Sequence, residues 1–150
     1  MNFAFVFPGQ GSQSVGMMAA YGESVTIRQT FAEASDALDQ DLWQMVADGP
    51  AEVLAQTVNT QPLMLAAGIA VYREWSARGG LVPAIVAGHS LGEYSALVAA
   101  GALDFSDAIK LVRLRAQAMQ EAVPQGEGAM AALLGLDEAQ AVEACAEAAQ

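Results

Sequence analysis

The segment 86–101, VAGHSLGEYSALVAAG, constrains the fold of this chain more than any other stretch. An apolar run ends there in Gly-His-Ser-Leu-Gly, and a second apolar run begins without a cluster of turn residues. The pentad 88–92 fits the pattern G-x-S-x-G, in which a sharp turn joins a strand to a helix and exposes the serine hydroxyl. Glycine suits both sides of this turn because side chains there would collide. The segment therefore predicts a buried strand, a tight turn at Ser90 and an apolar helix.

Two roles for Ser90 are compatible with this turn. Ser90 is either a nucleophile or a residue that caps the first turn of the helix. A nucleophilic serine needs a general base within about 3 Å. His89 is the only histidine of the chain, and its position next to Ser90 at a strand end should direct it to the opposite face. We therefore expect His89 to be structural, and the base of a catalytic Ser90 to lie outside these residues.

A second glycine-rich loop, PGQGSQSVG at 8–16, follows a predicted strand at 3–7. The strand run does not alternate, which is typical of a strand covered on both faces of a parallel sheet. If Ser90 is a nucleophile, the Leu91 N–H supplies one oxyanion donor, and this loop could supply another through Gln10 or Gln13. The loop is a poor phosphate site, because position 14 is Ser where G-x-G-x-x-G requires glycine and no P-loop lysine follows.

The rest of the chain indicates an α/β fold with a largely parallel sheet, because strand and helix patterns alternate. Helical patterns cover 26–38, start again at Pro50, and run over 62–75, where apolar residues on nearly every side predict burial against the sheet. Another helix is predicted from Ser106, as its N-cap, to about Val123. It carries apolar stripes on two opposite sides, which predicts a position between two layers.

A boundary is predicted at PQGEG, 124–128, because glycine and proline interrupt the helical pattern there. A strand at 129–136 and a helix opened by Asp137 should follow. We expect one unit over 1–125 and the incomplete beginning of a second over 126–150, because no later strand in the sequence could pair with 129–136.

Composition restricts the possible partners and location of the protein. The 150 residues are 54% hydrophobic and contain 6 basic against 17 acidic residues, for a formal charge of -11. Nucleic acid and anionic membrane are therefore not expected as partners. The uncharged apolar runs are shorter than the roughly 18 residues of a membrane span. Cys145 is the only cysteine, which leaves no intrachain disulfide or cysteine zinc cluster and suits a cytoplasmic protein.

Two arginines are candidate anion-binding residues. Arg113 and Arg115 lie two positions apart on a predicted helix, and so about 200° apart around its axis. Each falls at a margin of the buried stripe, so periodicity does not choose between them. Either could instead extend its apolar stem along the core edge and leave its charge in water.

Four segments together resemble a known family: FVFPGQGSQ at 5–13, TQP at 60–62, GHSLGEYSALVAAG at 88–101 and LVRLRAQAMQEAVPQGEGAMAALLGL at 111–136. They are similar, in order and spacing, to the malonyl-CoA:acyl carrier protein transacylases of type II fatty acid synthesis and the acyltransferase domains of polyketide synthases. The resemblance implies a large α/β hydrolase-like subdomain with a nucleophile elbow, and a small ferredoxin-like subdomain inserted after the arginine helix.

The same resemblance implies the chemistry. Ser90 would take the malonyl group of malonyl-CoA and pass it to the phosphopantetheine thiol of acyl carrier protein. Gln10 and the Leu91 N–H would form the oxyanion hole, and Arg115 rather than Arg113 would bind the malonyl carboxylate. The family implies no cofactor or metal, and a monomer when complete.

One element of the family pattern is missing from these residues, because the family's general-base histidine lies well downstream of the serine. We therefore expect the 150-residue chain alone to be poorly active. Two alternatives stay open at this point. One is a serine hydrolase, which needs no carboxylate-binding arginine, and the other is a non-catalytic binding module that keeps the turn as a fold feature.

Overall fold

A computed structural model describes residues 2–123, 127 and 133–149. The α/β fold class is confirmed, since two parallel strands combine with helices over this part of the chain. The strands are β1 (Ala4–Phe7) and β2 (Ile85–Gly88). The helices are α1 (Val25–Leu38), α2 (Leu42–Asp48), α3 (Ala51–Ala55), α4 (Thr57–Ala77), α5 (Leu91–Ala99), α6 (Phe105–Glu121) and α7 (Glu138–Ala148), with a 3-10 turn at Ala19–Tyr21.

The register of the two strands decides where the following loops lie. β1 and β2 pair in parallel from Ala4 opposite Ile85 to Phe7 opposite Gly88. Both strands therefore end at the same level of the sheet. The loop after β1 and the turn after β2 start side by side, as sequence order predicted.

Only one face of this sheet is covered by the described residues. Phe5 and Phe7 pack edge-on against Tyr72 of α4. On the other face, Val6 is 73% exposed and Ile85 is 64% exposed. The prediction that these strands are covered on both faces is therefore wrong for the described chain, because its helices pack only on the phenylalanine side of β1.

Helix α4 lies at the centre of the helical layer and packs against α1, α5 and α6. Leu63, Ala66 and Ala70 are fully buried, so the predicted buried helix is confirmed. It begins at Thr57 rather than at Pro62, which lies inside it. Pro62 lies past the first turn, so α4 lacks the backbone hydrogen bond that this residue would otherwise donate.

Helix α6 differs from its prediction at the start and on one side. Its N-cap is Asp104, whose carboxylate accepts from the Asp107 N–H at 3.1 Å, and not Ser106. This start places Phe105 in the core. The predicted stripe is buried from Ile109 to Ala116, whereas Met119 and Val123 at its end are exposed. Leu114 on the opposite side is 61% exposed. The predicted position between two layers is therefore wrong for the described residues, because they provide no layer over Leu114.

The shorter helices divide into predicted and unpredicted ones. α1 is confirmed, with the Ser24 hydroxyl accepting from the Ile27 N–H at 3.3 Å, and α3 starts after Pro50 as expected. α2 was not predicted from the sequence. It buries only Leu42 and Val46, and two apolar residues give little periodic signal.

The C-terminal part confirms a helix but not the strand before it. α7 opens at Asp137, as the sequence predicted, and Asp137 forms a capping box with Gln140. The predicted boundary after 125 and residues 129–132 lie outside the described residues, apart from Glu127. Residues 133–136 are described and form no strand, because no strand pairs with them there. None of the helices in the described ranges combines the length and apolarity that a membrane crossing requires.

Candidate active site

Ser90 occupies the sharp turn between β2 and α5. Its backbone has φ 55 and ψ -114, a conformation that a residue with a side chain rarely adopts. Ser90 stands at the N-cap position of α5, yet its side chain makes no capping hydrogen bond. Its Oγ instead accepts a hydrogen bond from Nη2 of Arg115 at 2.9 Å. The capping role that the sequence left open is therefore not observed, and the hydroxyl faces a cation.

The two glycines of the pentad are required by contacts of the backbone with itself. A Cβ on Gly88 would lie 2.0 Å from the Gly92 carbonyl oxygen, and a Cβ on Gly92 would lie 2.2 Å from the Phe7 carbonyl oxygen. Both distances are far below any van der Waals contact. The first turn of α5 thus lies directly on the ends of both strands, which fixes the position of Ser90.

The loop after β1 lies next to this turn. A Cβ on Gly9 would be 3.2 Å from the His89 carbonyl oxygen, so the two backbones are in contact. The Gln13 side chain folds back and accepts from the Gly11 N–H at 2.8 Å. The Gln10 side chain points to the start of α4, where its Nε2 donates to Thr57 Oγ1 at 3.1 Å. The structure thus brings the loop that carries Gln10 beside the Ser90 turn, and the Gln10 amide hydrogen-bonds Thr57.

Arg115 reaches this turn from α6. Its Nη1 donates to Gln61 Oε1 at 2.7 Å while Nη2 donates to Ser90. The guanidinium carbon also lies 5.7 Å from the centre of the Tyr94 ring. In the described ranges no carboxylate lies within 4.0 Å of this cation. The guanidinium is thus fixed on one side and presents its charge to the nucleophile candidate.

Arg113 points elsewhere. It donates to the side chain of Gln40, beside the junction of α1 and α2, and its Nε is buried without a hydrogen-bond partner among the described residues. Burial lowers the pKa of the Arg113 guanidinium from its ordinary value. The structure therefore separates two arginines that periodicity treated alike.

Gln61 was not assigned a role from the sequence. It is fully buried in α4, where its Oε1 accepts from Arg115 and its Nε2 donates to Met119 Sδ at 3.3 Å. One signal was available, because a glutamine within an apolar, buried helix must find a polar partner. The sequence does not reveal which partner it finds.

His89 is exposed, and its carbonyl accepts from the Gly92 N–H at 2.9 Å. Among the described residues its imidazole makes no hydrogen bond with Ser90. The missing hydrogen bond to Ser90 agrees with the expectation, but His89 is exposed and does not pack beneath the turn as expected of a structural histidine.

Comparison with known proteins identifies the family. Residues 4–148 match the family described as "Acyl transferase domain", and the chain belongs to this family. The chain is 60% identical over 149 residues to the malonyl CoA-acyl carrier protein transacylase of Escherichia coli (strain K12). That alignment covers 99% of the chain and 48% of the relative, so the chain spans about half the length of this protein. The resemblance inferred from the four motif segments is confirmed.

Solved structures show the same fold. The chain superposes with a TM-score of 0.90 on the acyl-carrier-protein S-malonyltransferase from Burkholderia pseudomallei 1710b, at 62% identity, covering 99% of the chain and 48% of that structure. It also matches PlMCAT:AntF, a malonyl-transacylase in complex with a type II PKS acyl-carrier protein. In that case the TM-score is 0.90 at 55% identity, with coverage of 100% and 49%. The short parallel sheet and its helices thus belong to the fold of these transacylases.

Proposed function

We propose that this protein transfers the malonyl group of malonyl-CoA to the phosphopantetheine thiol of an acyl carrier protein, through a malonyl ester on Ser90. The observation that carries the proposal is the 2.9 Å contact between Ser90 Oγ and Arg115 Nη2. It combines a strained, uncapped serine with a cation that has no carboxylate partner in the described chain.

The short distance between serine and arginine suits a malonyl group in particular. One methylene group separates the malonyl carboxylate from the thioester carbon that the serine would attack. A carboxylate-binding cation must therefore lie almost in contact with the nucleophile. The planar guanidinium can hold a carboxylate through two parallel hydrogen bonds. Since Gln61 already holds Nη1, Arg115 needs little reorganisation to receive the carboxylate.

The turn supplies the remaining groups of an acyl-transfer site. We propose that it is a nucleophile elbow, with the oxyanion hole formed by the backbone N–H groups of Leu91 and Gln10. Leu91 is the first residue of α5, and the first N–H groups of a helix have no acceptor within it. The Gln10 side chain is anchored by its bond to Thr57, and we propose the Gln10 backbone N–H as the donor from that loop.

The reaction then has two balanced steps. Ser90 Oγ attacks the thioester carbon of malonyl-CoA, loses its proton to a general base, and expels coenzyme A as the thiol. The pantetheine thiol next attacks the malonyl ester, and Ser90 recovers a proton as it leaves. His89 does not contact Ser90, so the base is proposed to be a histidine downstream of these residues, as the family resemblance implies.

We also propose the domain arrangement that the resemblance implies. Residues 1–125 would belong to a hydrolase-like large subdomain, and 126–150 would begin a small ferredoxin-like subdomain. The family match through residue 148 supports placing α7 in the same protein domain family.

The pathway and partner follow from the relatives. The Burkholderia protein is an acyl-carrier-protein S-malonyltransferase, and PlMCAT:AntF joins a malonyl-transacylase to a type II PKS acyl-carrier protein. We propose fatty acid synthesis as the pathway, with a cytoplasmic, monomeric enzyme. No cofactor is required by the proposed chemistry, because both steps are simple acyl exchanges.

Radiolabelled malonyl-CoA tests the proposal on the full-length protein. Incubation with acyl carrier protein should move the label to the carrier, and without carrier the label should remain on the enzyme. Ser90→Ala should abolish both signals, because the ester cannot form. Release of free malonate in place of labelled carrier would instead support a hydrolase.

A further inference from the structure

The loop after β1 is joined to the helical layer by a single side-chain hydrogen bond. Among the described residues, Gln10 Nε2 to Thr57 Oγ1 at 3.1 Å is the only side-chain hydrogen bond from residues 8–15 to another element. Two further side-chain hydrogen bonds lie within the loop. One runs from the Gly11 N–H to Gln13, and the other from the Ser12 hydroxyl to the Gly9 carbonyl. Backbone contacts hold the two ends of the loop, at Gly9 against His89 and at Gly16, whose N–H donates to the Val46 carbonyl at 2.7 Å, and Thr57 holds the Gln10 side chain between them.

Thr57 is well placed to fix this position. It is the first residue of α4, whose following turns are buried among α1, α5 and α6. Gln61, one turn further along the same face of α4, holds Arg115 at 2.7 Å. The start of one rigid helix thus holds the loop through Thr57 and the arginine through Gln61.

We propose that Thr57 is a positioning residue for acyl transfer, which holds the Gln10 side chain so that the Gln10 backbone N–H faces the developing oxyanion. The inference rests on the proposed function. Oxyanion donors act through their placement, and loss of one donor slows acyl transfer by about 10²–10³-fold. A donor that is displaced and not lost should slow acyl transfer by a smaller factor.

Two substitutions test the contributions of the Thr57 hydroxyl and of the Thr57 methyl group separately. Thr57→Val keeps the shape of the side chain and removes the hydrogen-bond acceptor. Thr57→Ser keeps the hydroxyl and removes the methyl group. Because the carboxylate site on Arg115 is untouched, the binding of malonyl-CoA should not change.

The test uses the full-length protein and rapid-quench measurement of Ser90 malonylation over a range of malonyl-CoA concentrations. We expect Thr57→Val to lower the maximal acylation rate about tenfold. The half-saturating malonyl-CoA concentration and the Tm should stay near wild type. Thr57→Ser should restore most of the rate. Gln10→Leu should resemble Thr57→Val, and the double variant should lose no more than either single one.

Three results would overturn the inference. An unchanged maximal rate in Thr57→Val would show that the contact does not position the donor. Equal losses in the valine and serine variants, accompanied by a lower Tm, would reduce Thr57 to a structural role. Additive losses in the double variant would show that Thr57 does not act through Gln10. If wild-type Ser90 takes no malonyl label, the proposed function itself fails and the role of Thr57 fails with it.

Discussion

Arg113 and Arg115 lie two residues apart on α6, and each guanidinium donates to a glutamine side chain. Arg113 meets Gln40 beside the α1–α2 junction, and Gln40 in turn donates to Asn59 Oδ1 at 3.4 Å. Arg115 meets Gln61 inside α4 and keeps a second nitrogen for Ser90. The Arg113 guanidinium belongs to a polar network within the helical layer. The Arg115 guanidinium connects that layer to the strained turn at Ser90.

The difference shows which surroundings allow an arginine to bind an anion beside a serine. Both charges are partly buried, but Arg113 has a buried Nε without a partner in the described chain and a lowered pKa. Its observed partner is the Gln40 side chain, within the helical layer and not at the Ser90 turn. For Arg115 the glutamine satisfies one nitrogen, and the other donates to Ser90, where we propose that the acyl group reacts. The two arginines lie at opposite margins of one buried stripe, so the segments that face each margin determine the role.

The largest expected effect comes from Arg115→Ala. Loss of the bidentate pair with the malonyl carboxylate should reduce malonylation of Ser90 about 100-fold, as expected from about 3 kcal/mol of charge-assisted hydrogen bonding. Acetyl loading from acetyl-CoA should be spared, because acetyl has no carboxylate. Initial rates of label transfer from the two thioesters measure this. If malonyl loading is unchanged, the assignment of the carboxylate site to Arg115 fails.

A smaller effect should follow Gln61→Leu, which removes the group that holds Arg115 Nη1. The guanidinium keeps its charge but loses its fixed orientation. We therefore expect kcat/KM for malonyl-CoA to fall about tenfold, which corresponds to the loss of one hydrogen bond to a charged group. Gln40→Leu is the matched control, because it removes the equivalent partner of Arg113 and should leave malonyl kinetics intact. Equal losses in both variants would mean that the two arginine sites do not differ as described.

The smallest effect is expected from Arg113→Met. Methionine keeps an unbranched stem against the helical layer and removes both the buried charge and the unpaired Nε. We expect the free energy of unfolding to stay within about 1 kcal/mol of wild type, with malonylation of Ser90 unchanged. Urea unfolding and the labelling assay measure the two properties. A destabilisation of several kcal/mol would indicate that Arg113 contributes a net stabilising interaction.

The parts of the site that depend on local sterics were predictable from the sequence. The turn at Ser90 follows from two glycines whose Cβ atoms would meet backbone at 2.0 and 2.2 Å, and any chain that folds a strand onto a helix so closely needs that pattern. The first part of the buried stripe of α6 and the start of α7 at Asp137 are also local properties.

Choices between nearly equal local options were not predictable. Asp104 and Ser106 are both good N-caps, and the burial of Phe105 decided for Asp104. Gln10 and Gln13 differ only in what lies opposite them, which is Thr57 for one and the Gly11 N–H for the other. The covering of the β1–β2 sheet on one face likewise depends on which helices reach it. Such outcomes are set by residues distant in the chain, and a local pattern does not contain them.

The parallel register of β1 and β2 also has a consequence for the order of folding. Four helices, α1 to α4, separate the two strands along the chain, so the pairing of Phe7 with Gly88 closes a long loop. Contacts between residues so distant in the chain form slowly, because closing the loop costs conformational entropy before the contacts stabilise the structure. The Ser90 turn rests on the Phe7 carbonyl through Gly92, so it should reach its final geometry only after the strands pair. Ser90 should therefore become ordered late, after the helices that support it.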